Sequence, residues 1–181
     1  MTQAQQTTHS NSPAEKAIRD YLTLNTSVLG RMISSHFQIR TMDEAEKLAT
    51  MLSGQFPEPQ RVSTGVWELI SNAIEHGNLK IDFEEKADLL QSGNYIEEIA
   101  RRLRTEPYSL RLADVEFRRT RTMIRIRVSD QGAGFDFTKY FDDSRPLTGP
   151  NGRGIFIARK FSFDKVVYRG PGNVVDAIIR L

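Results

Sequence analysis

The residues best suited to chemistry are concentrated in one short stretch, residues 68–77, which reads ELISNAIEHG. Glu68 and Asn72 are four residues apart, so a helix would place both side chains on one face. A carboxylate can accept a proton or orient a nucleophile, and a carboxamide oxygen can bind Mg²⁺ without adding charge. The same spacing also occurs on the solvated face of any amphipathic helix. Gly77 is expected to end this helix.

A second polar group, Asp130, follows residues 121–129, whose apolar side chains alternate with polar ones as in a strand. Side chains in a strand have a period of two, so Asp130 falls on the apolar face. A carboxylate buried there needs a hydrogen-bond donor, such as the exocyclic amine of an adenine. Gly132 and Gly134 would allow a sharp turn and the close approach of a flat ring. An ordinary Asp-x-Gly turn that closes a hairpin is the competing interpretation.

A third segment, residues 149–154, reads GPNGRG and precedes a predicted short helix over 154–161. Free N–H groups and the helix dipole make such a helix start suitable for an anion. The segment lacks the Gly-Lys-Ser/Thr of a Walker loop and is not a convincing dinucleotide fingerprint. A plain loop before a helix is the alternative.

In this order, the three segments resemble the nucleotide-binding boxes of the Bergerat-fold ATPases, a superfamily that includes the gyrase B subunit, histidine kinases and anti-sigma-factor serine kinases. The pattern Glu-x-x-x-Asn-Ala-x-x-His-Gly closes with His76 and Gly77. It is most similar to the anti-sigma-factor serine/threonine protein kinases of bacterial partner-switching systems. The resemblance covers residues 34–181.

The resemblance implies ATP and Mg²⁺ as cofactors and assigns a role to each matching residue. Glu68 would polarise the attacking hydroxyl or water, Asn72 would bind Mg²⁺, and Asp130 would accept a hydrogen bond from the adenine amine. Gly132 and Gly134 would shape the base pocket. The residues implied to hold the triphosphate are Asn151, Gly152, Arg153 and Gly154.

Three features depart from the family pattern or leave a role open. Many relatives carry Gly-x-Thr near the C-terminus, where the Thr supports the adenine-binding Asp; this chain has Gly172-Asn173 instead. Asn173 can still donate and accept, so it could keep that contact. His76 would either satisfy a buried hydrogen bond at the helix end or line the nucleotide site. Residues 78–107 form an insertion that compact relatives lack.

Composition limits the function classes. The 181 residues suffice for one domain with extensions, and 39% hydrophobic and 27% charged residues are ordinary for a globular protein. A net charge of +2 is too small to imply nucleic acid, and the lack of cysteine excludes disulfides and thiolate metal sites. We expect a soluble cytoplasmic protein that binds no membrane, because no apolar run is long enough to span one and no signal peptide is recognisable.

The expected organisation is a disordered polar tail over 1–13, a helical extension over 14–30, and an ATPase domain over 31–181 with the helical insertion at 78–107. The expected fold is a two-layer α/β (α+β) sandwich with a mixed, mostly antiparallel sheet packed on three helices. The predicted strands span 35–41, 109–119, 121–129, 165–169 and 173–181. The predicted helices span 43–54, 60–76, 83–91, 95–104 and 154–161. A parity shift near residue 113 indicates a bulge or a late start of the second strand.

Two patterns invite other interpretations. An arginine-rich series resembles a nucleic-acid stripe, but its alternation with Ile on a strand favours a solvated outer sheet face, with Glu116 nearby. The series consists of Arg118, Arg119, Arg121, Arg125 and Arg127. His36 and His76 are predicted on different elements without a third ligand, so they are not expected to form a metal pair.

Three functional classes remain open. The favoured one is a kinase that binds and phosphorylates an anti-sigma-factor antagonist protein, with a sigma factor and a second copy of the chain as further candidate partners. The second is a nucleotide-gated protein-binding module with little or no kinase activity. The presence of Glu68 favours the kinase over this module. The third is a histidine kinase catalytic domain, which lacks support because His9 lies in the polar tail and His36 on a strand. The insertion either selects the partner or is a packed embellishment.

Overall fold

Five strands form one sheet in the compact unit Met32–Leu181. The computed structural model describes residues 30–141 and 153–181. The strands are β1 (Ser34–Ile39), β2 (Ala113–Arg119), β3 (Met123–Ser129), β4 (Lys165–Arg169) and β5 (Val174–Arg180). Their order is β1-β2-β3-β5-β4, and all four pairings are antiparallel. The predicted sandwich with a mostly antiparallel sheet is confirmed, and among the described strands the sheet is antiparallel throughout. The tail 1–13 and the helix predicted after it lie outside the described residues.

Helices cover one face of this sheet. The helices are α1 (Met42–Ser53), α2 (Pro59–Asn72), α3 (Phe83–Ser92), α4 (Tyr95–Arg102) and α5 (Arg153–Ile157). α1 begins with a capping box in which Thr41 and Glu44 bond each other's main-chain N–H groups. α2 and α5 each continue as a π-helical segment, Ala73–Asn78 and Ala158–Ser162. None of the helices in the described ranges is long and apolar enough to cross a membrane.

The core lies between the sheet and the helices, and strand alternation determines which side chains enter it. Val115 and Phe117 of β2 are buried, whereas the intervening Glu116 faces outward. The same alternation in β3 buries Ile124 and Ile126. The helical residues buried in the same cluster include Leu52, Val62, Val66, Leu69 and Ile70. Because apolar positions recur with the period of each element, this layer was predictable from the sequence.

Arg118, Arg125 and Arg127 lie on the outer sheet face, where carboxylates balance Arg125 and Arg127, as predicted. The prediction fails for the other two arginines of the series: Arg119 follows the alternation of the buried Phe117 and donates to the Gln55 carbonyl, and Arg121 lies in the turn between β2 and β3. Arg127 donates two hydrogen bonds to Asp176, at 2.8 and 2.9 Å, and Arg169 donates a third at 2.6 Å. Arg125 lies 3.6 Å from Glu116. Asp176 is only 1% exposed because the arginine side chains cover it.

β2 begins at Ala113, later than the predicted start at residue 109. This late start explains the shift in the apolar alternation near residue 113 without a bulge. A 3₁₀ turn, Tyr108–Leu110, precedes it. Polar side chains satisfy the backbone here: Arg40 donates to the Ser109 carbonyl at 2.9 Å, and the Leu112 N–H donates to the Gln131 side chain at 3.0 Å. Because these partners replace the ladder hydrogen bonds, strand pairing begins only at Ala113.

The insertion is a helical hairpin formed by α3 and α4, as its apolar spacing predicts. Asp82 caps α3 by accepting from the Glu85 N–H at 2.9 Å, and Gly93 ends it in a left-handed conformation. Ile99 is 7% exposed, so it packs on the domain, whereas Leu90 and Ile96 near the turn are 57% and 72% exposed. The hairpin thus has a packed base and an apolar tip.

Candidate functional site

A cavity of about 480 Å³ lies between α2 and the sheet. One wall is formed by α2 and its π-helical extension (together the α2 segment), through Leu69, Asn72 and His76. The sheet forms another wall, through Val128 and Val175. Further lining residues come from the Asp130 loop, the β4–β5 turn and the start of the insertion. A volume in the range of about 300–1,000 Å³, apolar walls and a few polar groups are typical of a small-molecule site.

Asp130 follows β3 and lines this cavity with one carboxylate oxygen still available. Its Oδ1 accepts from the Gly132 N–H at 2.8 Å, and no described residue donates a hydrogen bond to Oδ2. Burial raises the pKa of Asp130 to about 6, although the Gly132 N–H and Arg111 act in the opposite direction. A carboxylate oxygen at a cavity wall without a donor is suited to accept a hydrogen bond from a ligand.

Two glycines make room for this carboxylate. A β-carbon at Gly77 would overlap the Asp130 carboxyl group. A β-carbon at Gly132 would lie 2.5 Å from the Gly77 carbonyl oxygen and 2.8 Å from Asp130 Oδ1. The end of the α2 segment and the Asp130 loop therefore approach as closely as backbone atoms allow, and any larger residue would separate them.

Asn173 holds the main chain of Asp130, not its carboxylate. The Asn173 Nδ2 donates to the Asp130 carbonyl at 3.1 Å, and the Asp130 N–H donates to the Asn173 carbonyl at 3.0 Å. Gly134 has φ +79°, and the next residue, Phe135, donates its N–H to the Pro171 carbonyl at 2.9 Å. The β4–β5 turn thus fixes the loop that contains the predicted base pocket.

Aromatic side chains form a wall that the sequence did not identify. Tyr168 of β4 lines the cavity and stacks on Phe137 with ring centroids 5.5 Å apart. Phe135 meets the Tyr168 ring edge-on at 5.2 Å, and Tyr140 packs against Phe135 at 5.8 Å. The run of aromatic residues after Gly134 was the available signal, but it does not reveal Tyr168 as the partner.

Glu68 is half-buried one turn before Asn72 and lies against α5. A β-carbon at Gly154 would overlap the Glu68 carboxylate, so the first and third sequence segments meet here. Burial raises the pKa of Glu68; nearby Lys86 lowers it and Glu75 raises it further. Arg153, the first residue of α5, is exposed. Asn151 and Gly152, also predicted to hold the triphosphate, lie outside the described residues.

His76 both satisfies a hydrogen bond and lines the cavity, so its two predicted roles coexist. Its Nδ1 lies 2.5 Å from the Ile81 carbonyl oxygen, and its ring centroid is 4.3 Å from that of Phe83. Burial lowers the pKa of His76. A neutral ring must donate from Nδ1 to that carbonyl, which leaves Nε2 as an acceptor.

Glu75 is a buried carboxylate that the sequence analysis missed. It is 1% exposed, and it accepts hydrogen bonds from Lys86 of α3 at 2.7 Å and from the Tyr95 hydroxyl of α4 at 2.8 Å. An acidic residue directly after the apolar pair Ala73-Ile74 was the available signal. The helical hairpin is therefore anchored beside the predicted catalytic helix face.

Arg102 anchors the hairpin a second time. The Arg102 guanidinium donates to the Leu79 and Lys80 carbonyls, both at 2.8 Å, and also bonds Glu98 at 2.6 Å and Glu85. Lys80 has φ 56°, which is rare outside glycine, and it lines the cavity. The start of the insertion therefore forms part of the cavity wall.

A family profile for the histidine kinase-like ATPase domain matches residues 37–179. The match spans most of the chain and agrees with the five-stranded antiparallel sheet and its helical layer. The chain belongs to this family and is an ATP-binding protein. A comparison with curated proteins gives no match.

Proposed function

We propose that the chain is an ATP-dependent serine/threonine protein kinase of the anti-sigma-factor type, which phosphorylates an antagonist protein in the bacterial cytoplasm. The observation that carries this proposal is the position of Glu68. Its carboxylate lies against Gly154, and Glu68 stands one helical turn before Asn72, which lines the cavity. A pure binding module has no need of a carboxylate at that place.

The cavity fits an adenine nucleotide. Asp130 Oδ2 can accept from the adenine amine, and the close glycines beside it admit a flat ring. Asn72 is the oxygen ligand available to Mg²⁺, and the described residues contain no cluster of three His, Asp or Glu side chains that could hold a metal. A magnesium ion there would complete its shell with phosphate and water oxygens, as it usually does.

Glu68 is suited to act as the general base. Its raised pKa brings the carboxylate closer to the working pH, which improves proton acceptance. Glu68 would take the proton of a serine or threonine hydroxyl on the antagonist. The hydroxyl oxygen then bonds to the γ-phosphorus, the bond to the β–γ bridging oxygen breaks, and ADP leaves. Bound ATP supplies the phosphoryl group; positioning supplies most of the catalysis.

A nucleotide-gated binding module is the second candidate, and the exposed tip residues Leu90 and Ile96 favour it. Such side chains offer an apolar contact to a partner, whether the antagonist, a sigma factor or a second copy of the chain. The two candidates differ in whether the γ-phosphoryl group reaches the partner.

The decisive experiment combines the protein with Mg²⁺, γ-labelled ATP and antagonist candidates encoded near its gene. We expect acid-stable label on a serine or threonine of one candidate, and loss of that label with Glu68→Gln. Acid-labile label would indicate phosphohistidine and contradict the serine/threonine assignment. Partner binding that depends on ATP but leaves the partner unlabelled would establish the binding module.

A further inference from the structure

The insertion places a lysine beside the predicted catalytic face of α2. Lys86 of α3 donates to the buried Glu75 carboxylate at 2.7 Å, and its ammonium lies 5.7 Å from the centroid of the Tyr95 ring. The lysine side chain itself remains 34% exposed. An ammonium has three donors, and Glu75 accounts for one of them.

Lys86 bears on the candidate site because its partner Glu75 lies on the same helical segment as Glu68 and Asn72. Glu68 and Glu75 are seven residues apart on the helix formed by α2 and its π-helical extension, and Asn72 lies between them in sequence. Glu75 and Lys86 both act electrostatically on Glu68, in opposite directions. A lone buried carboxylate near Asn72 would repel a triphosphate, whereas one neutralised by an ammonium would not.

We propose that Lys86 is a phosphate-binding residue that the inserted hairpin supplies to the nucleotide site, where it contacts the γ-phosphate of ATP. This inference rests on the proposed function. Glu75 and the Tyr95 ring hold the ammonium in place, and its remaining donors are available to the terminal phosphate. The insertion therefore contributes directly to nucleotide recognition, in addition to any contact its tip makes with a partner.

A purely structural ion pair is the competing explanation, and a double variant separates the two. Lys86→Met keeps the apolar stem but leaves Glu75 buried and unpaired, so it could perturb the fold by itself. Lys86→Met combined with Glu75→Gln removes both charges and leaves an amide oxygen for the Tyr95 hydroxyl. If the pair is only structural, the double variant should regain wild-type behaviour.

Calorimetry with Mg-ATP and Mg-ADP measures the effect without relying on turnover. We expect both Lys86 variants to bind ATP about tenfold or more weakly while ADP affinity changes less than about twofold, because only ATP carries the γ-phosphate. Lys86→Arg should restore most of the ATP affinity. Lys47→Met, at an exposed ion pair on α1, is the matched control and should alter neither affinity.

Two results would overturn the inference. One is wild-type ATP affinity in the double variant; the other is an equal loss of ATP and ADP affinity in it, with an unfolding temperature like that of the wild type. Failure of the proposed function would look different, because the wild-type protein itself would then bind no nucleotide or leave its partner unlabelled.

Discussion

Gly77 and Asp130 lie so close together that a β-carbon on Gly77 would overlap the Asp130 carboxyl group. The contact joins the π-helical end of the α2 segment to the loop after β3, and it fixes the carboxylate at the cavity. Asp130 Cβ would also lie only 2.7 Å from the added atom, so rotating the carboxylate cannot relieve the overlap. The glycine after His76 is thus required by space, not by a positive φ.

Gly77→Ala should therefore displace Asp130 and weaken ADP binding by about tenfold or more, the scale of one lost hydrogen bond to a charged group. Calorimetry measures the affinity, and thermal unfolding checks that the fold survives. Gly54→Ala is the matched control, since the nearest atoms to its β-carbon lie at 3.5 Å. Equal ADP affinity in both variants would show that this close contact does not position the carboxylate.

Nucleotide affinity should fall in mild acid because of Asp130. Its pKa is about 6 in the free protein, and protonation removes the acceptor that we propose for the adenine amine. Only about one molecule in eleven would be ionised at pH 5, so binding should be about tenfold weaker there than at pH 7. The phosphates titrate in the same range, so Asp130→Asn is the reference at each pH. We expect this variant to bind about 1–3 kcal/mol more weakly at pH 7. A wild-type pH profile that matches the variant's would contradict the assignment.

The raised pKa of Asp130 affects folding in the opposite direction: ionisation favours nucleotide binding but lowers the free energy of unfolding. A carboxyl whose folded pKa is raised above its ordinary value of 3.8 contributes stability below pH 3.8 and loses it as pH rises through about 6. Asp130→Asn should therefore be more stable than the wild type at pH 7 while binding the nucleotide less well. Chemical denaturation at pH 7 tests this, and a less stable variant would show that the ionised Asp130 is well compensated.

Substitutions at Glu68 and Asn72 should distinguish loss of phosphoryl transfer from loss of nucleotide binding. Glu68→Ala should keep nucleotide affinity but slow phosphoryl transfer by about 10²-fold, the usual scale for a general base. Asn72→Ala should weaken Mg²⁺-dependent binding as well, because it removes the candidate metal ligand. Binding measured with and without Mg²⁺, beside a single-turnover transfer assay, distinguishes the two. Equal transfer rates in Glu68→Ala and wild type would remove Glu68 from the mechanism.

Asp176 should stabilise the outer sheet face above its titration range. Hydrogen bonds from Arg127 and Arg169 hold the pKa of Asp176 below its ordinary value, against the effect of burial. This stability is present above pH 3.8 and is lost as pH falls through the lowered folded pKa. Asp176→Asn should cost about 2 kcal/mol in the free energy of unfolding at pH 7.

The cost of Asp176→Asn should shrink as the pH falls below 3.8, which denaturation at several pH values would show. Asp43→Asn, at an exposed ion pair on α1, should change stability by less than about 0.5 kcal/mol. A cost for Asp176→Asn that stays constant down to low pH would indicate that packing, and not charge, is responsible.

Local periodicity predicted most of the elements, whereas contacts between distant segments were not predictable. The alternation around Ile124 and Ile126 determined a strand and its buried face. Nothing local, however, shows that Glu75 meets Lys86 and Tyr95, which lie 11 and 20 residues further on. Such contacts depend on how the hairpin packs, which no single-segment pattern contains.

The same limit explains the other misses at the site. The role of Gly77 depends on Asp130, and the aromatic wall depends on Tyr168 from β4; in both cases the partner comes from a different element. The pairing of individual strands was not predicted either, because the helices between β1 and β2 allow either direction of return. Chain length between strands therefore does not decide their pairing.

The hairpin tip gives the last prediction. The sequence left open whether the insertion selects a partner or is a packed embellishment. Ile99 proves buried, so the exposed pair is Leu90 and Ile96. If the tip contacts a partner, Leu90→Glu with Ile96→Glu should weaken partner binding at least about tenfold, the effect of losing two apolar contacts. ATP affinity and the unfolding temperature should stay at wild-type values, since neither side chain is packed.

Ile99→Glu is the contrasting variant, because a charge at this buried position should destabilise the fold by several kcal/mol (order of magnitude). Partner affinity is measured by calorimetry on the antagonist identified in the labelling experiment, with and without ATP. Unchanged affinity in the folded double variant would exclude the tip from recognition. The hairpin's contribution would then lie at its base, where Lys86 bonds Glu75 and Arg102 bonds the carbonyl of Lys80, a residue that lines the cavity.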